Sequence, residues 1–500
     1  MFTREYLILA DELGVTAREP ASSPSLIKRT QESSVVKAWM TQPWDSHPLR
    51  LTGGGLVWIL SPGWMRGGGG PDFTRAKVRL EDGRELEGDV EIHVRASDWE
   101  RHGHHLDPAY DNVILSVVAD LDLTQPRRTR QGNIPLELEL NTAFPAWRET
   151  LRLEGEADPS ELGGNPEPGA CAAHLARIGP AGAMDLLDAA GEGRLILKSE
   201  KLAREMASSS GGQTLYRGLM EVLGYSRFRR QFIMLAANLP LDLLRGMVEG
   251  MDRLARPVAL QSVFLGMAGL LPETGSRDDE ETEGYVSRTH EAWLALREAF
   301  SLRPVLTRKE WKLSGVRPAN YPMGRLAGIS HFLAGNLEGG LETLMERILW
   351  SFPAEGPRRE KQKWLENVSG MFAPSSVPDY WQLRHVAGSA RLAAPRALVG
   401  TDRALLFMIN IVVPFLLARA MAGGRGGEEG RLRAIAHSLP RPAANGITRH
   451  MERRLFPGKP PRGALDAARD QGILQIYADF CQGGACDGCP MAAYLARSRG

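Results

Sequence analysis

GPDFTRAKVRLEDGRELEGDVEIHVRASDWERHGHHLDPAYDNVILSVV, residues 70–118, decides how the chain is read. Four of the chain's eleven histidines fall inside it (His93, His102, His104, His105), together with Asp72, Glu91, Asp98, Asp107, Tyr110 and Asp111. The local pattern is β. Residues 76–80 alternate, the turn Glu81-Asp82-Gly83-Arg84 follows, and residues 89–95 alternate again. Alternation on both sides of an Asp-Gly pair predicts a hairpin. On its second strand Val90, Ile92 and Val94 share one face, and Glu91, His93 and Arg95 share the other. A third apolar run, 113–118, predicts a buried strand beside it. Carboxylates and imidazoles on one strand face have two readings. One is the solvated outer face of an antiparallel sheet; the other is a divalent-metal site.

The second reading resembles the core of the PD-(D/E)XK nuclease superfamily. There an Asp and a Glu on a bent hairpin hold Mg²⁺ or Mn²⁺, and a Lys two residues after the Glu aids the attacking water. Pro71-Asp72 supplies the "PD", Glu91 comes nineteen residues later, and His93 stands where that Lys would be. Imidazole can ligate a metal or act as a base near neutral pH. The resemblance implies Asp72 and Glu91 as metal ligands and His93, His102 and His104 as catalytic groups. Glu32, on a helix predicted over 32–39, could be the further carboxylate such nucleases aim at the metal, or an ordinary exposed helix Glu. Arg95, Asp98, His105 and Tyr110 are the candidate substrate contacts.

Composition sets the frame. Five hundred residues leave room for two to four domains. Charges balance, 61 basic against 60 acidic, so any attraction to nucleic acid must come from a local surface. No signal-peptide pattern opens the chain. The longest apolar run, 404–418, contains Asn410 and Pro414 and is too short for a membrane span. The expectation is a cytoplasmic protein that makes no membrane contact. Residues 51–60 (LTGGGLVWIL) predict a hairpin ending in a buried strand. Gly67 to Gly70 form a run without the Lys-Ser/Thr of a phosphate loop, which argues against nucleotide binding. Near the end of the β region, Glu137 and Glu139 share a face expected to meet water.

The predicted class is α+β: a mixed nuclease-like sheet domain over 1–150, a linker over 151–184 containing Cys171, and a large helical domain over 185–500. Amphipathic spacing recurs through that last part, broken by Pro and Gly. Residues 272–286 predict an acidic surface loop. Residues 425–462 carry nine Lys/Arg against three Glu, a candidate phosphate-facing surface or a solvated helical face.

Four cysteines complete the inventory: Cys171, Cys481, Cys486 and Cys489. The last three form C-x4-C-x2-C-P. Without a secretory signal, disulfides are disfavoured, and four thiolates suit zinc or a 4Fe–4S cluster. Free thiols are the alternative. A similar arrangement, one distant Cys plus three near the C-terminus, occurs in RecB-like nucleases with an iron–sulfur cluster. There the distant Cys precedes the nuclease core, whereas Cys171 follows it.

Several blocks resemble the DUF2851 family of bacterial proteins: GPDFTRAKVRL, GDVEIHVRASDWERHGHHLDPAYDNVIL, LYRGLMEVLGYSRFRRQF, FLGMAGLLP, RPANYPMGRLA and QGILQIYADFCQGGACDGCP. They span residues 30 to 490. This chain departs from the family pattern at Ser116, where a His follows the apolar pair, and before Gly-Pro-Asp, where an Asn stands in place of the Gly-rich run. Two functions follow as expectations. One is a metal-dependent nuclease acting on DNA or RNA through Asp72, Glu91 and His93. The other is a non-catalytic scaffold for nucleic acid or protein that keeps a nuclease-like core. A hydrolase of another phosphoester is a third.

Overall fold

The computed structural model describes residues 32–41, 48–65, 70–123, 125–144, 170–273, 279–313, 316–374, 377–456, 460, 463–481, 489, 491, 492 and 495. The chain divides into two compact units: Met1–Gly155 with Gln475–Tyr494, and Glu156–Leu474 with Leu495–Gly500. Gly67 to Gly69, the proposed linker up to 169, and Cys486 lie outside the described residues.

The first unit is built on a seven-stranded sheet. Its elements are α1 (Glu32–Thr41), β1 (Leu49–Arg50), β2 (Leu56–Ser61), β3 (Trp64–Met65), β4 (Phe73–Leu80), β5 (Glu85–Arg95), the short helix α2 (Asp98–Arg101), β6 (Val113–Asp120), β7 (Leu136–Glu139) and α3 (Leu140–Ala143). The strand order is β1-β2-β4-β5-β6-β7, with β3 also on β4. Pairing is antiparallel from β1 to β5 and parallel from β5 to β7. The β4–β5 hairpin forms as expected; the first hairpin pairs Leu49–Arg50, just before the expected range, with β2, which is not the buried strand expected, since only Val57 is buried and Leu60 is exposed. The β4–β5 turn closes at Gly83, whose φ of 84° suits a residue without Cβ.

The parallel β5–β6 pair has a consequence that alternation alone does not reveal. Parallel neighbours cannot be joined by a tight turn; the chain must cross over one sheet face. Residues 96–112 make that crossing, and they carry the His-Gly-His-His run. The opposite face belongs to α1. Val35, Ala38 and Trp39 join Phe73, Val90, Ile92, Leu115 and Val117 in one buried cluster. Residues 90–93 of β5 are therefore buried on both faces, which rules out the solvated-face reading of Glu91 and His93.

Two irregularities shape the same region. The β4 register shifts between Phe73 and Ala76, an extra residue that leaves Arg75 at φ 56°. Such bulges bend a strand and re-aim neighbouring side chains. The β5–β6 register shifts at Asp89/Val90, beside Gly88. A Cβ at Gly88 would stand 2.8 Å from the Asn112 carbonyl and collide with the Ile114 side chain. Gly88→Ala is expected to cost about 1–3 kcal/mol in urea unfolding by forcing these strands apart. A variant as stable as the parent would show that the strands separate freely there.

The second unit is helical among its described residues, so the α+β class holds. It differs from expectation at its start and in its loops. Helix Ala170–Ser208 begins well before residue 185, so Cys171 lies in a first helical turn and not in a linker; a break at Gly179 (φ 76°) precedes Pro180. Of the run expected as an acidic loop, Glu280, Glu281 and Glu283 lie in the first turn of Glu280–Ala299, and 274–278 lie outside the described residues. Carboxylates there complement the helix dipole, and Asp279 accepts from Thr282 N at 2.9 Å. Thr401–Ala422 is long and apolar enough to cross a membrane, but 78% of its most apolar window is buried inside the fold. Several arginines of the basic segment are engaged: Arg425 with Glu428, Arg433 with Glu192 and Glu429, and Arg441 with Glu452 and Asp470. It is not a bare cationic face.

Candidate metal centre

Strand β5 places Glu91 and His93 on one face, and the crossing loop lowers His104 onto them. Gly103, at φ 78°, turns the chain between α2 and the 3-10 turn His104–Leu106. Tyr110 lies against the far side of His104, ring centroids 3.9 Å apart. Trp99, fully buried, meets the His104, Tyr110 and His93 rings edge-on and anchors its Nε1 on the Arg128 carbonyl at 3.1 Å. Apolar packing thus fixes the loop, and the imidazoles come with it.

The polar atoms meet in a small triangle. His104 Nε2 stands 3.1 Å from Glu91 Oε1 and 3.1 Å from His93 Nε2, and His93 Nε2 stands 3.5 Å from Glu91 Oε1. Three donors about 2.1 Å from one ion, at roughly 90–110° to each other, lie about 3.0–3.5 Å apart. The triangle therefore has the dimensions of one face of a coordination sphere. His102, exposed at the rim, offers a further nitrogen, and its donor atom, His93's and His104's all lie within 4.8 Å of one another. The donor set fits a divalent ion: its imidazoles suit Fe²⁺ or Zn²⁺, and its carboxylate suits Mn²⁺ or Mg²⁺.

Two carboxylates complete the arrangement. Asp72, just before β4, donates its backbone N–H to Glu91 Oε2 at 3.0 Å, and its own Oδ2 accepts from Ile92 N at 3.0 Å. Burial, then repulsion by Glu91, pushes the Asp72 carboxyl up to about 7. Glu32 is exposed as a whole residue, yet shelter at its carboxyl end raises that group. The nearby charges of His102, Glu91, Asp98 and His104 also act on it. His93 moves the other way: burial first, then the fields of His104 and His102, push it down to about 3. Its imidazole is neutral at physiological pH and needs no deprotonation to act as a ligand.

The remaining candidates fall into place by contact. Asp98 serves the loop, accepting from Arg95 N at 3.2 Å and pairing with Arg101 at 2.7 Å. Arg95 is exposed, and its charge acts on Asp122. His105 is half-buried and outside the histidine cluster. Ser116 lies beside Glu91 in the β5–β6 register; its hydroxyl and His93 Nδ1 are buried without a hydrogen-bond partner among the described residues.

Sequence reasoning missed Trp99, and it misplaced Glu137 and Glu139. Glu137 is paired with buried Arg127, and Glu139 accepts from Leu121 N at 2.9 Å and from Thr142. Neither simply faces water. Among the cysteines, Cys481 and Cys489 belong to the first unit and Cys171 to the second.

A histidine–carboxylate cluster under a crossing loop on a mixed sheet is the chemical class of this protein: an α+β protein with a candidate divalent-metal centre. The family described as "Protein of unknown function (DUF2851)" matches residues 32–439, so the chain belongs to that family. No curated protein and no solved structure matches it.

Proposed function

We propose that the protein is a metal-dependent phosphodiester hydrolase acting on DNA or RNA. The observation that carries this reading is the Glu91–His93–His104 triangle, set on a bulged hairpin that opens with Pro71-Asp72. Glu91, His93 and His104 would hold the ion, and His102, Asp72 and Glu32 lie within reach of its field. A divalent ion there supplies Lewis acidity toward a phosphoryl oxygen and lowers the pKa of water. The chain's own groups do the rest. Neutral His93 accepts or ligates without a prior proton loss, exposed His102 is placed to contact the scissile phosphate, and Tyr110 and Trp99 keep the imidazoles aligned and exclude water behind them. Cys481, Cys486 and Cys489 are proposed as ligands of a structural 4Fe–4S cluster or zinc, and the location as cytoplasmic. Iron, sulfide and zinc content of anaerobically purified protein tests the cysteine assignment.

The activity test is cleavage of labelled single- and double-stranded DNA and RNA with Mn²⁺, Zn²⁺ or Mg²⁺. Glu91→Gln, which keeps the side-chain shape, is expected to lower cleavage by about 1,000-fold or more. Equal cleavage by the variant, or none by wild type on any substrate with metal bound, removes the hydrolase reading.

A further inference from the structure

The helical unit contains a cleft of about 800 Å³, within the size range of clefts that bury a small ligand. Its floor is an ordered polar chain. His331 Nε2 lies 2.9 Å from Asp379 Oδ2, Gln261 Nε2 donates to the same oxygen at 2.6 Å, Tyr285 donates to Gln261 Oε1 at 2.8 Å, and Trp381 Nε1 donates to Tyr285 at 2.6 Å. Gln261 Nε2 also stands 3.4 Å from His331 Nε2, so that nitrogen is held by Asp379 and Gln261 together, while the His331 ring lines the cleft.

The rim supplies two other kinds of chemistry. Leu254 and Val377, 87% and 73% exposed, are the two most exposed large apolar side chains among the described residues, and both line this cleft. A folded surface rarely concentrates its most exposed apolar groups at one opening without a use for them. The charges of the lining are mostly paired: Arg253 and Arg256 share Glu338, and Glu281 pairs with Arg384, which lies outside the lining. Arg288 is exposed, lines the cleft and makes no ion pair among the described residues.

We propose that this cleft is a second ligand site, for a small amphipathic anion. Its anionic head pairs with Arg288, its apolar body covers Leu254 and Val377, and a polar group meets the His331 ring.

Anilinonaphthalene sulfonate carries an anionic head, an apolar body and one N–H, and its fluorescence reports binding. Titrated into the full chain, it is expected to saturate at one site. Arg288→Gln and Val377→Asp should each weaken binding about tenfold or more with circular dichroism and Tm unchanged. Leu294, 59% exposed and outside the cleft lining, is the control, and Leu294→Asp should bind as wild type. Absent or unsaturable binding by wild type, equal binding by the cleft variants, or equal weakening by Leu294→Asp overturns the proposal. Loss of a dimer in Val377→Asp would assign the cleft to a second copy of the chain and overturn the small-ligand reading.

Discussion

His104→Asn is expected to lower Mn²⁺ affinity by at least about 100-fold, whereas His105→Ala changes it less than about threefold. The two histidines are adjacent in sequence, so composition and local charge are nearly the same. Geometry separates them. His104 Nε2 touches both Glu91 Oε1 and His93 Nε2 at 3.1 Å, and removing it opens one corner of the triangle. His105 lies outside the cluster. His102→Ala should fall between, about tenfold, because its exposed ring stands beside the triangle without closing it. Asn is chosen at His104 because a polar, similarly buried side chain disturbs the stack on Tyr110 less than alanine does. Competition against a chelator gives the affinities, and thermal melts of the metal-free proteins show whether folding survives. Equal loss at His104 and His105 would mean that the loop binds metal as a mobile cluster, not through the triangle.

That distinction marks where sequence reading stops. The hairpin, its Asp-Gly turn and the apolar stripe Val90-Ile92 were legible because alternation is a local signal. The closeness of Asp72 to Glu91 came from the resemblance to the PD-(D/E)XK core, and the two do meet across the hairpin. The parallel return of β6 was not legible, because an apolar run such as 113–118 has no directional mark. The return alone decides that residues 96–112 cross over the Glu91 face and do not loop away from it. With that unknown, His102 and His104 carried equal weight as catalytic candidates, His105 was a candidate substrate contact, and Glu91 could equally have faced water. Trp99 went unnoticed for the same reason: its importance lies in contacts with His93 and His104 from a loop whose path was undetermined. Glu137 and Glu139 failed differently. Alternation placed them on one face correctly, but Arg127 and the Leu121 amide, which engage them, come from an irregular connection with no period to read.

In metal-free protein at pH 8, Asp72→Asn is expected to be more stable than wild type, although it removes a candidate ligand. Asp72 stands at about 7 in the folded chain against an ordinary 3.8, raised by burial and by Glu91. A carboxyl with a raised folded pKa favours folding most below its unfolded value, and that advantage is lost as pH rises through 7. Above pH 7 the fold therefore carries an ionised carboxylate in an acidic, half-buried place. The full shift would correspond to about 4 kcal/mol, and solvent screening of a half-buried group reduces the expected gain to about 1–2 kcal/mol. Asparagine keeps an oxygen to accept from Ile92 N and leaves the Asp72 N–H bond to Glu91 intact. The gain should shrink as pH falls and vanish below about 4, where aspartate is protonated in both states. His93, held down at about 3, works oppositely: its contribution is present above pH 6.5 and is lost as pH falls toward 3. It does so in both proteins and cancels from the difference. Adding Mn²⁺ should reverse the order, since ligand binding stabilises in proportion to affinity and wild type binds better. Urea unfolding at pH 8 and pH 4, with chelator and with Mn²⁺, gives all four comparisons. A metal-free Asp72→Asn less stable than wild type at pH 8 would show that the paired carboxylates serve the fold and are not held strained for a cation.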